Sequence, residues 1–186
     1  MKNITILSHN TYFHYAIENI LNKIMQDVRI SNLHDVIITD DIKELVEQYP
    51  EDLNKINIIL FVKDRHQMSI INHFNFKFIT LTMKDKTSMI ESSISRYLVD
   101  LCRKMKISHF TNLNYHQNWL TKRELDVLML SCSNLKTEHI ANKFKVTQKS
   151  ILNYRAIALK KIGSNLTPSL FNFITSINKL HAKTIK

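Results

Sequence analysis

Residues 146–163 read VTQKSILNYRAIALKKIG and close on the only glycine in a chain of 186 residues. Glycine enters the left-handed region without a steric penalty, so it suits a place where a helix must stop abruptly. The stretch is therefore read as a helix from Thr147, its N-cap, to Ile162, with Gly163 ending it. Its two faces differ. Ile151, Tyr154, Ala158 and Ile162 recur at spacings of three, four and four, a stripe for packing on neighbouring helices. The opposite stripe holds Lys149, Asn153, Ala156 and Lys160. Lysines neutralise phosphates or reach guanine acceptors, an Asn can pair bidentately with adenine, and Ala permits close approach or touches a thymine methyl. That face suits a major groove.

The flanking segments give the helix its seat. Thr121 and Glu124 have the spacing of a capping box, opening a helix whose inward positions are Leu125, Leu128, Met129 and Cys132. SNLK at 133–136 breaks it, and a second helix from Thr137 to Phe144 turns Ile140, Ala141 and Phe144 inward. KVT, residues 145–147, is a short turn. A short helix, a three-residue turn and a longer basic helix make a helix-turn-helix. After Gly163, Thr167 and Pro168 start a last helix with Leu170, Phe173, Ile174, Ile177 and Leu180 on one side.

Charge follows the same division. The formal net charge is +10, and residues 118–186 hold twelve Lys/Arg against three acids, whereas residues 1–117 hold fourteen against thirteen. Such a split is expected of a polyanion-binding module joined to a neutral partner. No apolar run reaches the length of a membrane-spanning helix, and the start, MKNITILSHNTYF, lacks the apolar core of a signal peptide. Two cysteines far apart, Cys102 and Cys132, suit a reducing compartment without a disulfide framework. The expectation is a cytoplasmic, nucleoid-associated protein with duplex DNA as partner and no membrane.

The first hundred residues alternate strand-like and helix-like segments. NITIL is followed by a helix carrying Phe13, Ala16, Ile17, Ile20, Leu21 and Ile24 at helical spacing. An ambiguous stretch with VRIS and VIIT precedes a short helix, DIKELVEQY, capped by Asp40 or Asp41. INIILFV is a continuous apolar run of the kind buried on both faces, QMSIINHF looks helical, and FKFITLT looks like a strand. This alternation predicts a parallel sheet in an α/β layer. A long helix over 88–106 follows, with Ser88 and Glu91 as capping box and Ile90, Ile94, Tyr97, Leu98, Leu101 and Met105 as apolar stripe. Residues 107–119, ISHFTNLNYHQNW, lose all periodicity and read as a linker.

At these residues the chain resembles a known family. Leu120 to Phe171 is similar to the DNA-binding domain of LuxR-type (GerE-like) transcription regulators. Leu120, Thr121, Arg123 and Glu124 match its opening signature; Glu138, Ile140 and Ala141, with His139 inserted between the first two, resemble its second helix; Lys149, Ser150 and Ile151, then Leu159, Lys161, Ile162 and Gly163, resemble its recognition helix and closing turn. Asn134 stands where the family has Gly, and Leu152 and Tyr154 stand where many members carry Lys and His. The resemblance implies DNA contacts from Lys149, Ser150, Asn153, Ala156 and Lys160, with Lys136 and Thr147 beside them. It implies dimerisation through Leu170, Phe173, Ile174 and Ile177.

The N-terminal part resembles a response-regulator receiver, with Thr82 at the switch position after the fourth strand. The receiver's carboxylates are not in place. Its first acidic site is Ser8 to Asn10 here, the third strand ends in Val62 and Lys63, and Asp64 is shifted by two residues. Without that cluster a divalent cation lacks its oxygen ligands and acyl-phosphate formation its electrostatic support. A fifth strand is not evident.

Together these readings give an α/β N-terminal receiver-like domain (parallel sheet, incomplete) over 1–106 and a linker over 107–119. An all-α four-helix HTH domain over 120–186 completes the chain. The combination resembles the short auxiliary regulators of enterobacteria. It implies a phosphorylation-independent transcription regulator acting as a homodimer or as a heterodimer with a response regulator. The alternative is an accessory or antagonist protein that captures another regulator through residues 1–106, using the apolar stripe of the 88–106 helix. No cofactor, metal site or catalytic set is expected. The nine His show no metal-ligand spacing, and one Gly cannot build a phosphate-binding loop.

Overall fold

The computed structural model describes residues 4–27, 35–49, 56–74, 76, 78–103, 120–162 and 167–184. VRIS, Met105, the 107–119 segment and Gly163 lie outside the described residues. The chain divides into two compact units, residues 1–68 with 77–114 and residues 69–76 with 115–186.

In the first unit four strands alternate with helices: β1 (Ile4–Leu7), α1 (Thr11–Asp27), β2 (Val36–Thr39), α2 (Ile42–Gln48), β3 (Asn57–Val62), α3 (Arg65–Ile71), β4 (Ile79–Thr82) and α4 (Thr87–Cys102). The start of α3 belongs to this unit. All pairings are parallel, in the order β1-β2-β3-β4. Ile6 sits beside Ile38, Ile38 beside Ile59 and Ile59 beside Ile79. Alternation then sends Val36, Ile38, Ile59, Phe61, Ile79 and Leu81 to one face. There they pack with Ile17, Ile20, Leu21 and Ile24 of α1 and Ile94, Tyr97, Leu98 and Leu101 of α4. Phe13 meets Phe61 edge-on, ring centroids 5.1 Å apart. Ile37, Ile58, Leu60 and Val62 point to the other face and are buried as well, as are Ile42, Leu45 and Val46 of α2 and Met68 of α3. The apolar run of β3 is thus buried on both sides, as read.

Two expectations in this unit need correction. The long helix begins at Thr87 with Lys86 as N-cap and no side-chain cap bond. Ser88 is therefore inside the first turn and cannot cap. Glu91 instead ion-pairs with Lys23 of α1 at 2.7 Å. The apolar stripe of α4 lies in the unit's own core, so Ile94, Tyr97, Leu98 and Leu101 are not available to a partner. Asp41, of the two candidates, caps α2 by accepting the Glu44 N–H.

The second unit holds α5 (Lys122–Cys132), α6 (Thr137–Phe144), α7 (Gln148–Lys161) and α8 (Pro168–Thr184). Leu125, Leu128, Met129 and Cys132 of α5 pack with Ala158 and Ile162 at the end of α7 and with Leu170 and Ile174 of α8. Leu120 and Ile70 complete that cluster. Val127 turns the other way, onto Ile140 and Ala141 of α6 and Ile151 of α7. Phe74 packs on the first cluster and its ring lies 4.6 Å from that of His181. Cys132 is free and buried, and burial pushes its thiol up to about 11 against the opposing charge of Arg155.

Candidate nucleic-acid interface

The helix-turn-helix is set by local chemistry at each joint. Thr121 accepts the Glu124 N–H while a Glu124 carboxylate oxygen accepts the Thr121 N–H at 2.7 Å, a complete capping box. The α5–α6 connection passes through Asn134 at φ 57°, in the left-handed region where this family resemblance has glycine. α6 ends at Lys145, also left-handed at φ 53°, whose N–H returns to the Ala141 and Asn142 carbonyls. Three residues later the chain is helical again. Thr147 caps α7, its Oγ1 accepting the Ser150 N–H at 3.2 Å and lying 2.9 Å from the Ser150 hydroxyl.

These joints orient α7. Ile151, Ala158 and Ile162 are buried and Tyr154 is half-buried, packed with Ile140 and Ala141. Lys149, Asn153, Ala156 and Lys160 are all exposed on the opposite side. The two-faced reading of the quoted stretch matches this placement. Lys136 and Thr147 are exposed and Ser150 is half-exposed, its backbone and hydroxyl already engaged by Thr147. The helix ends at Lys161 with Ile162 as its cap, one residue short of the expected end.

Two interactions that spacing did not reveal fasten α7 to α5. Lys161 Nζ donates to both oxygens of Glu124, at 2.9 and 2.8 Å. Burial by itself raises the Glu124 carboxyl, but the Lys161 hydrogen bond and charge and the Thr121 bonds together hold it below its ordinary value. Arg123 lies over the Phe144 and Tyr154 rings, 5.8 Å from each centroid. The Arg-Glu pair of the opening signature thus clamps both neighbouring helices.

Three of the four residues expected to dimerise are buried within the chain. Leu170 is 6% exposed and Ile174 and Ile177 are 0% exposed. Leu170 and Ile174 fill the cluster between α5, α7 and α8, because their stripe is the apolar side of α8. Phe173, half-buried, is the member of the four that keeps accessible surface.

The carboxyl end of the sheet carries the first unit's polar groups. In flavodoxin-like order the first strand lies between the second and third, which brings their ends together. Here β2 intervenes, so the ends of β1 and β3 are two strand spacings apart, roughly 9–10 Å. Asp64 accepts the N–H groups of His66 and Gln67, capping α3. Thr82 is fully buried, and its hydroxyl has no hydrogen-bond partner among the described residues. Burial raises the Asp40 carboxyl, opposed by a hydrogen bond from Ser8. His9, Asp41 and Glu44 bring ligand-type atoms within 4.8 Å of one another, with His9 Nε2 3.4 Å from Glu44. Sequence spacing cannot show this grouping, since it joins the ends of β1 and β2. Asp41 already caps α2, and Glu44 accepts the Gln48 amide.

No family model matches the sequence, and no curated protein does. Solved structures do. The two-component response regulator RcsB in complex with DNA shares the fold at a TM-score of 0.50 and 16% identity, over 94% of this chain and 98% of that one. The fold is a receiver-like α/β unit followed by a helix-turn-helix unit. RcsB from Salmonella enterica serovar Typhimurium bound to the promoter P1flhDC aligns at 0.38 and 16% identity, over 94% of this chain and 98% of that chain. Full-length FixJ from B. japonicum aligns at 0.39 and 12%, over 95% of this chain and 96% of that chain. No described helix is long and apolar enough to cross a membrane.

Proposed function

We propose that this chain is a phosphorylation-independent transcription regulator that binds duplex DNA through α7. The carrying observation is the outer face of that helix: Lys149, Asn153, Ala156 and Lys160 exposed in one stripe, while Ile151, Ala158 and Ile162 hold the other side in the bundle. Lys136 at the α6 cap, with Lys143 and Lys145 near the turn, adds exposed positive charge. RcsB, a DNA-bound protein of the same fold, supports the reading. In this reading Lys149 and Lys160 grip phosphates, Asn153 reads a base edge, Ala156 permits approach, and the Thr147–Ser150 cap faces the backbone. In the same reading the chain works in the cytoplasm at the nucleoid, as a homodimer or as a heterodimer with a response regulator, and a dimer contact would use Phe173, the half-buried member of the α8 stripe.

The test is binding of labelled duplexes selected from a random pool by the full chain. Log K should fall linearly with log salt, by about 0.9 per phosphate contact. Asn153→Ala should cost about 1–3 kcal/mol on the selected duplex and little on unrelated DNA. Equal loss on every sequence would remove the base-reading role, and no salt-sensitive binding at all would remove the proposal.

The accessory-protein reading keeps one observation. Tyr12 and Tyr15 of α1 are 88% and 68% exposed, an aromatic pair on the N-terminal unit. Loss of a co-purifying regulator on Tyr12→Ser with Tyr15→Ser, with DNA binding intact, would favour it.

A further inference from the structure

Among the described residues α7 exposes one large apolar side chain, Leu152, at 47%. Single exposed apolar residues are common on protein surfaces, so what singles out Leu152 is its place on the flank of the exposed cationic stripe of α7. Leu152 is not part of the seat. The residues that seat this helix on its neighbours are Ile151, Tyr154, Ala158, Leu159 and Ile162, and neither of their clusters includes Leu152. At 100° per residue it projects about 60° around the helix from Lys149, on the flank of the cationic face. Its neighbour one turn on is Ala156, exposed and too short to shield it. Lys149 and Asn153 are exposed beside it.

We propose that Leu152 is a specificity residue that covers a thymine 5-methyl group in the major groove. The inference rests on the DNA-binding reading of α7 and adds the base that an apolar side chain can select. Of the four bases only thymine presents a methyl group in that groove, and an aliphatic side chain has no hydrogen bond to offer any other edge. Lys149 and Lys160, exposed along the adjoining stripe, would hold polyanionic DNA against this part of the helix, which favours a groove wall over an apolar protein surface as the occupant. Burying one methyl accounts for roughly a fourfold change in affinity. Lysine at this position would reach a guanine or a phosphate, so the leucine changes which base pair is preferred.

The experiment uses the full chain and the duplex it selects, with each thymine replaced singly by uracil, which removes only the methyl. The expected result is one thymine per bound α7 whose replacement weakens binding roughly fourfold, a loss that disappears in Leu152→Ala. As an exposed position, Leu152→Ala leaves the fold intact, which a thermal melt checks. The proposal is overturned if the variant keeps the same uracil penalty, because another side chain then covers the methyl. It is also overturned if selective, salt-sensitive binding occurs with no uracil penalty anywhere, and in that case the DNA-binding reading stands. Absence of any selective binding overturns both.

Discussion

Glu124 shows how much one side chain can hold. Its carboxylate closes the α5 capping box and receives Lys161 with both oxygens while almost wholly buried. Glu124→Gln keeps the shape and removes the charge, leaving Lys161 without its anion; chain stability should drop by about 1–3 kcal/mol, read by denaturant titration. The pH dependence has a definite sign. A carboxyl held below its ordinary value of 4.5 in the folded state contributes stability that is complete above that value. The contribution is lost as pH falls through the lower folded value. Melting temperature should therefore decline on acidification below the ordinary value, and the Gln variant should show less of that decline. The capping half of this role was legible in the Thr121–Glu124 spacing. The Lys161 half was not, because it pairs positions 37 residues apart and no local pattern encodes such a contact.

At the scale of elements, the helix-turn-helix was readable because every joint has a local chemical signature: Thr121 and Glu124, Thr147, and Thr167 with Pro168. Ser88 and Glu91 carried the same signature and misled. The helix starts one residue earlier, and Glu91 answers Lys23 across to α1 instead. The turn between α6 and α7 holds a further test. Lys145 occupies left-handed space that costs a residue bearing a Cβ about 1–2 kcal/mol. Lys145→Gly should therefore stabilise the chain by about 0.5–1 kcal/mol in chemical denaturation. Asn134→Gly, at the other left-handed position, should gain less, since Asn tolerates that region better. A gain at Asn134 equal to that at Lys145 would contradict this account of the turn. The α8 stripe was likewise visible in the sequence, but periodicity reports only that a face is apolar. Whether a neighbouring helix or a second chain covers it is a tertiary fact, and Leu170 and Ile174 are covered by α5 and α7.

For the whole molecule, two features of the α/β unit bear on the proposed independence from phosphorylation. The residue types at the strand ends were legible: Ser8 to Asn10 after β1, and Lys63 after β3. The strand order was not, because lengths and alternation are the same whichever neighbour a strand chooses. With β2 between β1 and β3, even restored carboxylates would stand apart. Incubation with an acyl-phosphate donor should leave the full chain unlabelled by mass spectrometry, and Asp64→Ala should alter neither labelling nor DNA binding. A phosphorylated Asp64 would show that its capping of α3 is compatible with acceptor chemistry. The anchoring of α7 reaches further than stability. Ile151 and Ala158 grip its inner side and the Lys161–Glu124 bridge pins its far end, so under the proposed function its angle of entry into a groove would be decided before any DNA arrives. Its outward side chains are then interchangeable parts: transplanting them onto another helix seated in the same way should carry operator preference along, while leaving behind everything that makes the donor fold.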